Sequence, residues 1–167
     1  MTQQAHNVAT PERRGLRAAL VAWLIDRSQR RPPDQVIGGH DRPYLMRWHL
    51  IPRNPLANAY LHLFLRSDDD RALHCHPWAN CSVLLHGRYL EHTEGGGAYT
   101  RHAGDVVVRP SGRMAHRIEL THGPCWTLFL TGPRYRHWYF HCPQGLVHWR
   151  EFTDPNDPGA IGPGCDA

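Results

Sequence analysis

The sequence contains no lysine, and all 19 of its basic residues are arginine. A chain without lysine cannot form a Schiff base with a carbonyl substrate, supply the lysine of a phosphate-binding loop or use a lysine general base. This absence excludes several large enzyme classes. The 14 histidines point to histidine chemistry instead, because imidazole is the commonest metal ligand in proteins and titrates near neutral pH.

Long apolar runs are also missing. The longest, residues 18–25, is far shorter than the ~20 residues of a membrane-spanning helix. It follows three arginines as in a signal peptide, but no small-residue cleavage site comes after it. The formal net charge of +4 is spread along the chain, whereas nucleic-acid binders cluster their charge. We expect neither membrane nor nucleic-acid binding.

Paired cysteine motifs are absent as well. The number of cysteines is odd, and no two form a C-x-x-C pair. This pattern favours reduced thiols in a cytoplasmic protein over a secreted disulfide framework. The cysteines are Cys75, Cys81, Cys125, Cys142 and Cys165.

The length and composition predict one globular domain. The chain has 167 residues, of which 41% are hydrophobic and 20% charged, a balance that permits a buried core. Thr10 and Pro11 are typical of a helix start, and Pro32-Pro33 of its end, so we predict one helix over about 11–29. Its apolar stripe should cover a partner subunit or the barrel predicted for residues 41–152. The stripe consists of Leu16, Leu20, Trp23 and Leu24.

From residue 44 onward the sequence predicts an all-β fold. Short segments rich in β-branched and aromatic residues alternate with turn residues at roughly ten-residue spacing, which is typical of a sandwich or barrel. We therefore divide the chain into an N-terminal helix and linker (1–40), a barrel (41–152) and a Pro/Gly-rich tail (153–167) that either drapes over the barrel or is mobile. The predicted strands lie near 44–51, 59–66, 72–76, 80–86, 88–93, 98–102, 105–109, 116–121, 125–131, 136–141 and 146–152.

Two segments contain candidate metal ligands. His74 and His76 are separated by one residue, so on a strand both project from the same face and can bind one ion. In the second segment, which begins at Gly104, a strand ends in a Pro-x-Gly turn and His116 opens the next strand. Three imidazole nitrogens from these segments would form one ligand face, with bonds of about 2.0–2.2 Å.

The second segment resembles the second sequence motif of the cupins, G-x5-P-x-G-x2-H-x3-N. Gly104, Pro110 and Gly112 stand in register with this motif. His116 comes one residue late, and Leu120 replaces the final asparagine.

The first segment resembles the first cupin motif, G-x5-H-x-H-x3,4-E-x6-G, through His74, His76 and Gly87. Asn80 stands at the glutamate position, and no glycine precedes His74 at the motif spacing. The His-x-His-Pro-Trp sequence also resembles that of small uncharacterised bacterial and phage cupins. The resemblance covers about residues 60–130 and implies a double-stranded β-helix barrel. It does not specify a reaction, because cupins include dioxygenases, isomerases, epimerases, lyases, storage proteins and sensors.

The missing glutamate predicts a site of three neutral histidines instead of two histidines and a carboxylate. Such a site leaves open coordination positions on a more positive metal, and we expect Fe(II), with Zn, Ni or Mn as alternatives. Glu119 has the opposite strand parity to His116 and should face outward.

Strand parity also suggests a role for Cys81. It belongs to the apolar face of its strand, which we expect to face the metal, whereas Asn80 belongs to the polar face. Cys81 follows His76 by five positions, a spacing that resembles animal-type cysteine dioxygenases, which are three-histidine cupins. Tyr139 and His141 are further catalytic candidates, and a small buried core thiol is the alternative for Cys81.

Other residues are candidates for the pocket wall. Trp78 follows the ligand pair, and His62 and Arg66 alternate on one face of an early strand. An arginine near the pocket could bind a substrate carboxylate through two hydrogen bonds, but sequence does not rank the candidates. They are Arg47, Arg66, Arg109 and Arg113. The run from Asp68 to Asp70 is interpreted as an acidic turn.

The sequence thus favours a mononuclear metal enzyme, of the Fe(II) dioxygenase type, that acts on a small polar substrate. Two alternatives stay open. One is a non-redox isomerase, epimerase or lyase with the metal as Lewis acid, and the other is a ligand-binding or sensor module without catalysis. The resemblance to cupins also implies a homodimer.

Overall fold

A computed structural model describes residues 15–39, 42–68, 72–157 and 160–166. The chain divides into two compact units, Met1–Pro33 and Asp34–Ala167. The predicted helix start at Thr10 and Pro11 lies outside the described residues. No helix in the described ranges has the length and apolar character needed to cross a bilayer.

The first unit contains helix α1, Gly15–Gln29. Arg30 Nη2, just past its last turn, pairs with the Asp26 carboxylate at 2.7 Å. Three of the four large side chains of the predicted apolar stripe are exposed, Leu16 by 89%, Leu20 by 62% and Trp23 by 56%, and Leu24 is partly buried.

The second unit is an antiparallel β structure of two six-stranded sheets, in agreement with the predicted all-β fold. The first sheet has the order β1-β2-β3-β10-β5-β8 and the second the order β12-β11-β4-β9-β6-β7. The strands are β1 Gln35–Ile37, β2 Leu45–His49, β3 Asn58–Phe64, β4 Leu73–His74, β5 Asn80–His86, β6 Arg88–Thr93, β7 Ala98–His102, β8 Val106–Arg109, β9 His116–Glu119, β10 Cys125–Thr131, β11 Tyr139–Cys142 and β12 Gly145–His148.

Two elements differ from the sequence prediction. Strand β1 was not predicted because it has only three residues, and its place depends on antiparallel pairing with β2. The last predicted strand ends at His148 and gives way to a short helix, α2, Trp149–Phe152. The His148 side chain accepts a hydrogen bond from the Arg150 backbone N–H at 3.3 Å and so caps this helix.

Apolar side chains from both sheets form the core of the second unit. One cluster combines residues of β2, β3, β5, β6, β9 and β10, so it joins the inner faces of the two sheets. A second cluster lies where β11, β12 and α2 meet. The first consists of Leu45, Phe64, Leu84, Tyr89, Ile118 and Cys125, and the second of Ala72, Phe140, Val147 and Phe152.

The cysteines do not all stay reduced, which corrects the prediction from their odd number. Cys142 on β11 and Cys165 in the tail form a disulfide with a Cα–Cα distance of 5.4 Å, while Cys75, Cys81 and Cys125 are free. The tail also forms a bridge between Thr153 and Ile161. It is therefore fastened to the second sheet, an arrangement that spacing alone could not reveal because the two cysteines meet only in the folded chain.

We predict that removing this disulfide lowers stability. Cysteines 23 residues apart restrict the unfolded chain by about 3 kcal/mol, so replacing Cys142 and Cys165 by alanine should lower the Tm by about 6–12 °C in calorimetry. Thiol titration of the unfolded protein should find three thiols before reduction and five after it. Cys81→Ala is the matched control and should leave the Tm nearly unchanged. Five reactive thiols before reduction would contradict the disulfide.

Candidate metal centre

The second sheet brings the three predicted histidine ligands together. His74 ends β4 and pairs directly across the ladder with His116, the first residue of β9. His76 follows two residues after His74, so its ring reaches the same side of the sheet. The ring centroids of the three histidines are 4.9–5.2 Å apart. One nitrogen from each ring lies within 4.8 Å of the other two.

The spacing of the ring nitrogens fits a bound metal ion. His76 Nε2 and His116 Nε2 are 2.9 Å apart. Two nitrogens that bind one ion at about 2.1 Å and at a right angle stand about 3.0 Å apart. Three neutral nitrogen donors on one face suit a divalent first-row metal and do not by themselves choose among iron, zinc, nickel and manganese.

All three rings are held in the neutral form that binds metals. Burial lowers the pKa of His74, His76 and His116, and the positive charge of Arg109 lowers each of them further. A protonated imidazole cannot ligate, so this shift favours metal binding over protonation.

A buried carboxylate, Glu91 on β6, orients the ring of His116. Glu91 Oε1 lies 3.2 Å from His116 Nδ1. Arg109 Nη2 also lies 3.0 Å from His116 Nδ1. In the tautomer that binds a metal through Nε2, His116 carries its proton on Nδ1, and the nearby Glu91 carboxylate is the acceptor for that proton. Arg109 also contacts Glu91 Oε1, and Arg101 Nε donates to Oε2 at 2.8 Å. Glu91 is 1% exposed, so the two guanidinium groups compensate its charge in the interior.

A second carboxylate, Asp68, stands behind His74. Its Oδ2 lies 3.6 Å from His74 Nδ1 and accepts the backbone N–H of Ile118 at 2.6 Å. Its Oδ1 accepts the hydroxyl proton of Tyr44. Burial is the largest cause, and Asp68 the second, of a Tyr44 pKa well above its ordinary value. Asp68 is thus no simple acidic turn residue, since the fold carries it into the interior.

The Pro-x-Gly turn approaches the first ligand segment so closely that only glycine fits. The backbone N–H of His76 donates to the Gly112 carbonyl at 2.8 Å. A Cβ atom on Gly112 would clash with the His76 carbonyl oxygen and stand 2.9 Å from that of Trp78. Gly112 therefore sets the position of His76 through backbone contact.

The histidines face a cavity of about 320 Å³ inside the second unit. Its wall is mainly apolar and aromatic, with a few polar groups, a common composition for small-molecule sites. The aromatic and aliphatic part includes Phe64, Phe129, Trp78, Trp138, Ile37 and Ile118. The polar part includes Gln35, Arg47, His62, Ser82, Arg109 and Thr127.

The structure corrects the expected orientation of Cys81. On β5 the inward residues are Asn80 and Ser82, which are 5% and 7% exposed, and Ser82 lines the cavity. Cys81 lies on the other face, opposite Val108 and Leu130 in the neighbouring strands. The prediction placed the apolar face inside, but Asn80 accepts a hydrogen bond from buried Arg109 at 3.3 Å. Because the interior contains the Arg109 guanidinium, which needs hydrogen-bond acceptors, the polar face of β5 points inward.

The catalytic candidates Tyr139 and His141 lie outside the cavity lining. Tyr139 packs against the His148 ring with a centroid distance of 5.4 Å. His141 Nδ1 lies 3.2 Å from the Glu94 carboxylate. Both sit on β11, whose side chains at these positions face away from the three-histidine group.

Of the predicted pocket residues, Trp78 and His62 line the main cavity. Arg66 does not. It lines a smaller neighbouring cavity of about 70 Å³, where its guanidinium lies over the Tyr44 ring at 5.6 Å. Glu119 lies away from the ligands, as expected, and its carboxylate is 2.7 Å from His92 Nε2.

Sequence reasoning missed the residues that support the ligands. Glu91 follows the large apolar Tyr89 at the same strand parity, and this parity was the available signal for an inward carboxylate. Asp68 gave no such signal because it follows the end of a strand, where parity no longer applies. Neither residue matches a position in the two motifs.

Comparisons with known proteins reveal likeness in structure only. No family model and no curated protein matches the sequence. The DMSP lyase DddQ from Ruegeria pomeroyi DSS-3 superposes with a TM-score of 0.53 at 19% identity, over 68% of this chain and 62% of that one. A cupin-like protein from Thermotoga maritima has a TM-score of 0.48 at 16% identity, over 61% and 78% of the respective chains.

A protein with a double-stranded β-helix domain from Klebsiella pneumoniae has a TM-score of 0.46 at 15% identity, over 66% of this chain and 88% of that one. At these identities the likeness concerns the fold.

We predict that each ligand histidine is required for tight metal binding. Replacing His74, His76 or His116 by alanine removes one of three nitrogen donors, so metal retained after dialysis against a weak chelator should fall from about one ion per chain to near zero. Mass spectrometry of the metal content of tag-free protein measures this. The matched control is His102→Ala, an exposed histidine on β7. Full metal retention in His74→Ala/His76→Ala would contradict the assignment.

We also predict that Gly112→Ala weakens metal binding without touching a ligand. The added methyl group must push the turn away from the His76 carbonyl, which should lower metal affinity at least about tenfold, as loss of ligand support does. Chelator competition measures the affinity. Gly132→Ala is the control, because its Cβ would meet only the Ala79 carbonyl at 3.7 Å. Equal affinities for the two variants would show that this backbone contact does not position His76.

Proposed function

We propose that this chain, which has the double-stranded β-helix fold of the cupins, is a mononuclear metal-dependent enzyme acting on a small substrate. One observation carries the proposal: three neutral imidazoles, one buried and two partly buried, converge on one wall of a substrate-sized cavity. The carboxylates of Asp68 and Glu91 stand behind two of these rings. Histidines held merely by core packing would not need such support on their outer nitrogens.

We favour Fe(II) and a dioxygenase-type reaction. When bound, Fe(II) supplies an open coordination face at which a substrate and dioxygen can meet. The residues of the chain position the substrate and limit its contact with water. The aromatic wall of Phe64, Phe129 and Trp78 would shield reactive species from the solvent.

The basicity of the His62 side chain in the cavity wall also favours a dioxygenase-type reaction over one that begins with removal of a proton from the substrate. Burial lowers the pKa of His62 well below its ordinary value, so this ring is a weak base. It already accepts a hydrogen bond from Arg47 Nε at 2.9 Å. A reaction driven by dioxygen does not depend on a strong base in the wall.

A non-redox reaction is the second candidate, and the Tyr44–Asp68 pair is the observation that favours it. Tyr44 lines the cavity and donates its hydroxyl proton to Asp68. In an isomerase, epimerase or lyase with a Lewis-acid metal, Tyr44 would accept a proton from the substrate as its own hydroxyl proton passes to Asp68, and the reverse transfer would return a proton to the product. The lyase activity in the name of DddQ is compatible with this alternative.

The position of Cys81 does not support oxidation of thiols. A role in that reaction requires Cys81 beside the metal, but its side chain lies on the opposite face of β5 from the cavity-lining Ser82. The five-residue spacing from His76 to Cys81 therefore gives no support for a cysteine dioxygenase activity.

The decisive experiment compares metals and oxygen. Tag-free protein is stripped, loaded anaerobically with Fe(II), Zn, Ni or Mn, and screened against small alcohols and carboxylic acids. The expected result is oxygen uptake that requires both Fe(II) and a substrate, measured with an oxygen electrode and by mass spectrometry of the product. His74→Ala should abolish uptake, and Tyr44→Phe should largely retain it.

Other outcomes decide against this reaction. Turnover without oxygen, supported by Zn, Ni or Mn and lost in Tyr44→Phe, would establish the non-redox candidate. Metal and ligand binding with no turnover would indicate a sensor. Absence of stoichiometric metal binding would contradict the proposed function as a whole.

A further inference from the structure

One arginine in the cavity wall is held in place without a carboxylate partner among the described residues. Arg47 on β2 lines the cavity and stands in a row of polar residues across the first sheet. Its register partners are Gln35 on β1 and His62 on β3, and His62 in turn pairs with Thr127 on β10. Because directly opposite residues of antiparallel strands share a face, these side chains lie on the same side of the sheet.

Neutral neighbours fix the guanidinium of Arg47. Its Nε donates to His62 Nε2 at 2.9 Å, and its Nη1 donates to Gln35 Oε1 at 3.0 Å. It also lies over the Tyr60 ring, 4.8 Å from the centroid. A guanidinium has five N–H donors, so two are used and three remain. Within the described ranges Nη2 donates to no acceptor, and this end of the group stays open to a ligand.

Arg109 shows how the fold treats an arginine that serves the structure. It also lines the cavity, but it contacts the buried Glu91 carboxylate and donates to Asn80. Its charge is thus compensated by a residue of the chain. The two carboxylates near the ligands, Asp68 and Glu91, stand behind the histidine rings, so they do not offset the charge of Arg47.

Burial lowers the pKa of Arg47 to about 10, and this effect exceeds the opposing influence of Tyr60 and Tyr44. Arg47 nevertheless remains protonated at neutral pH. A buried charge that neutral groups position and no carboxylate balances is costly for the fold, and a bound anion would offset that cost.

We propose that Arg47 is the substrate-anchoring residue of this cavity and binds the carboxylate of a small carboxylic acid with an apolar body. The inference rests on the proposed function and names the substrate class of the same site. The free Nη1 and Nη2 donors match the two oxygens of a carboxylate.

The cavity favours a monocarboxylate over a phosphate ester. Arg47 is the one cavity-lining arginine without a carboxylate contact in the described part of the chain, and a single guanidinium balances one negative charge, whereas a phosphate monoester carries up to two. The rest of the wall is largely aromatic and aliphatic, so it fits an apolar body. The proposal thus chooses Arg47 among the four arginines that the sequence offered as candidates for binding a substrate carboxylate.

The test uses benzoate as probe, with benzamide and phenyl phosphate as isosteres, in calorimetry on metal-loaded protein. We expect benzoate to bind one per chain and benzamide at least about tenfold more weakly, as loss of a charged hydrogen-bond partner implies. Arg47→Gln should lower benzoate affinity at least about tenfold, and Arg47→Lys by less. Arg113→Gln, a change at an exposed turn residue, should leave it unchanged.

The metal content, circular dichroism and Tm of each variant separate the possible failures. If both Arg47→Gln and Arg47→Lys retain the metal and bind benzoate with the wild-type affinity, the inference is overturned and the proposed function is not. Tighter binding of phenyl phosphate than of benzoate, or no binding of benzoate to wild-type protein, overturns it as well. If the protein holds no metal and still binds benzoate through Arg47, the inference stands and the proposed function falls. If Arg47→Gln does not fold, the inference is tested by the benzoate affinity of Arg47→Lys and by the affinities of the wild-type protein for benzoate and benzamide.

Discussion

Burial of charged and polar groups around three histidines is the constraint on which the site depends. The interior of the second unit contains two carboxylates, Asp68 and Glu91, and each is compensated by donors within reach: a tyrosine hydroxyl, a backbone N–H and two guanidinium groups. Because an uncompensated buried charge costs several kcal/mol or more, these partners must be placed together. Burial and the charge of Arg109 lower the pKa of all three histidine rings, and the Nε2 atoms of His76 and His116 approach to 2.9 Å.

The two arginines that line the cavity have different roles, one in the structure and one in the proposed binding of a ligand. Arg109 contacts the Glu91 carboxylate behind His116, while Arg47 lines the cavity, is held by neutral groups and retains unused N–H donors. A site with a divalent metal on one wall and an arginine on another attracts anions. This electrostatic pattern links the proposed metal chemistry to the proposed carboxylate anchor, since both follow from which buried charges the chain itself balances.

Alternation along a strand predicts two faces but does not say which of them is inside. On β5 the apolar face with Cys81 was expected to point inward, yet Asn80 and Ser82 do so. The reason is Arg109, which comes from β8 and requires an acceptor in the interior. The tail shows a similar limit: Cys142 and Cys165 pair across 23 residues, although nothing in their spacing indicates a partner.

The sequence alone determined the all-β architecture, the boundaries of most strands and the three histidines, because strand periodicity, turn residues and the two motif-like segments are local signals. Only the tertiary structure decided which carboxylates support the ligands, which face of β5 is inside and which arginine is open to a ligand. Glu91, Asp68 and Arg47 acquire their roles from neighbours on other strands, at distances set by register and sheet packing. Contacts between residues far apart in the chain leave no pattern in a single sequence.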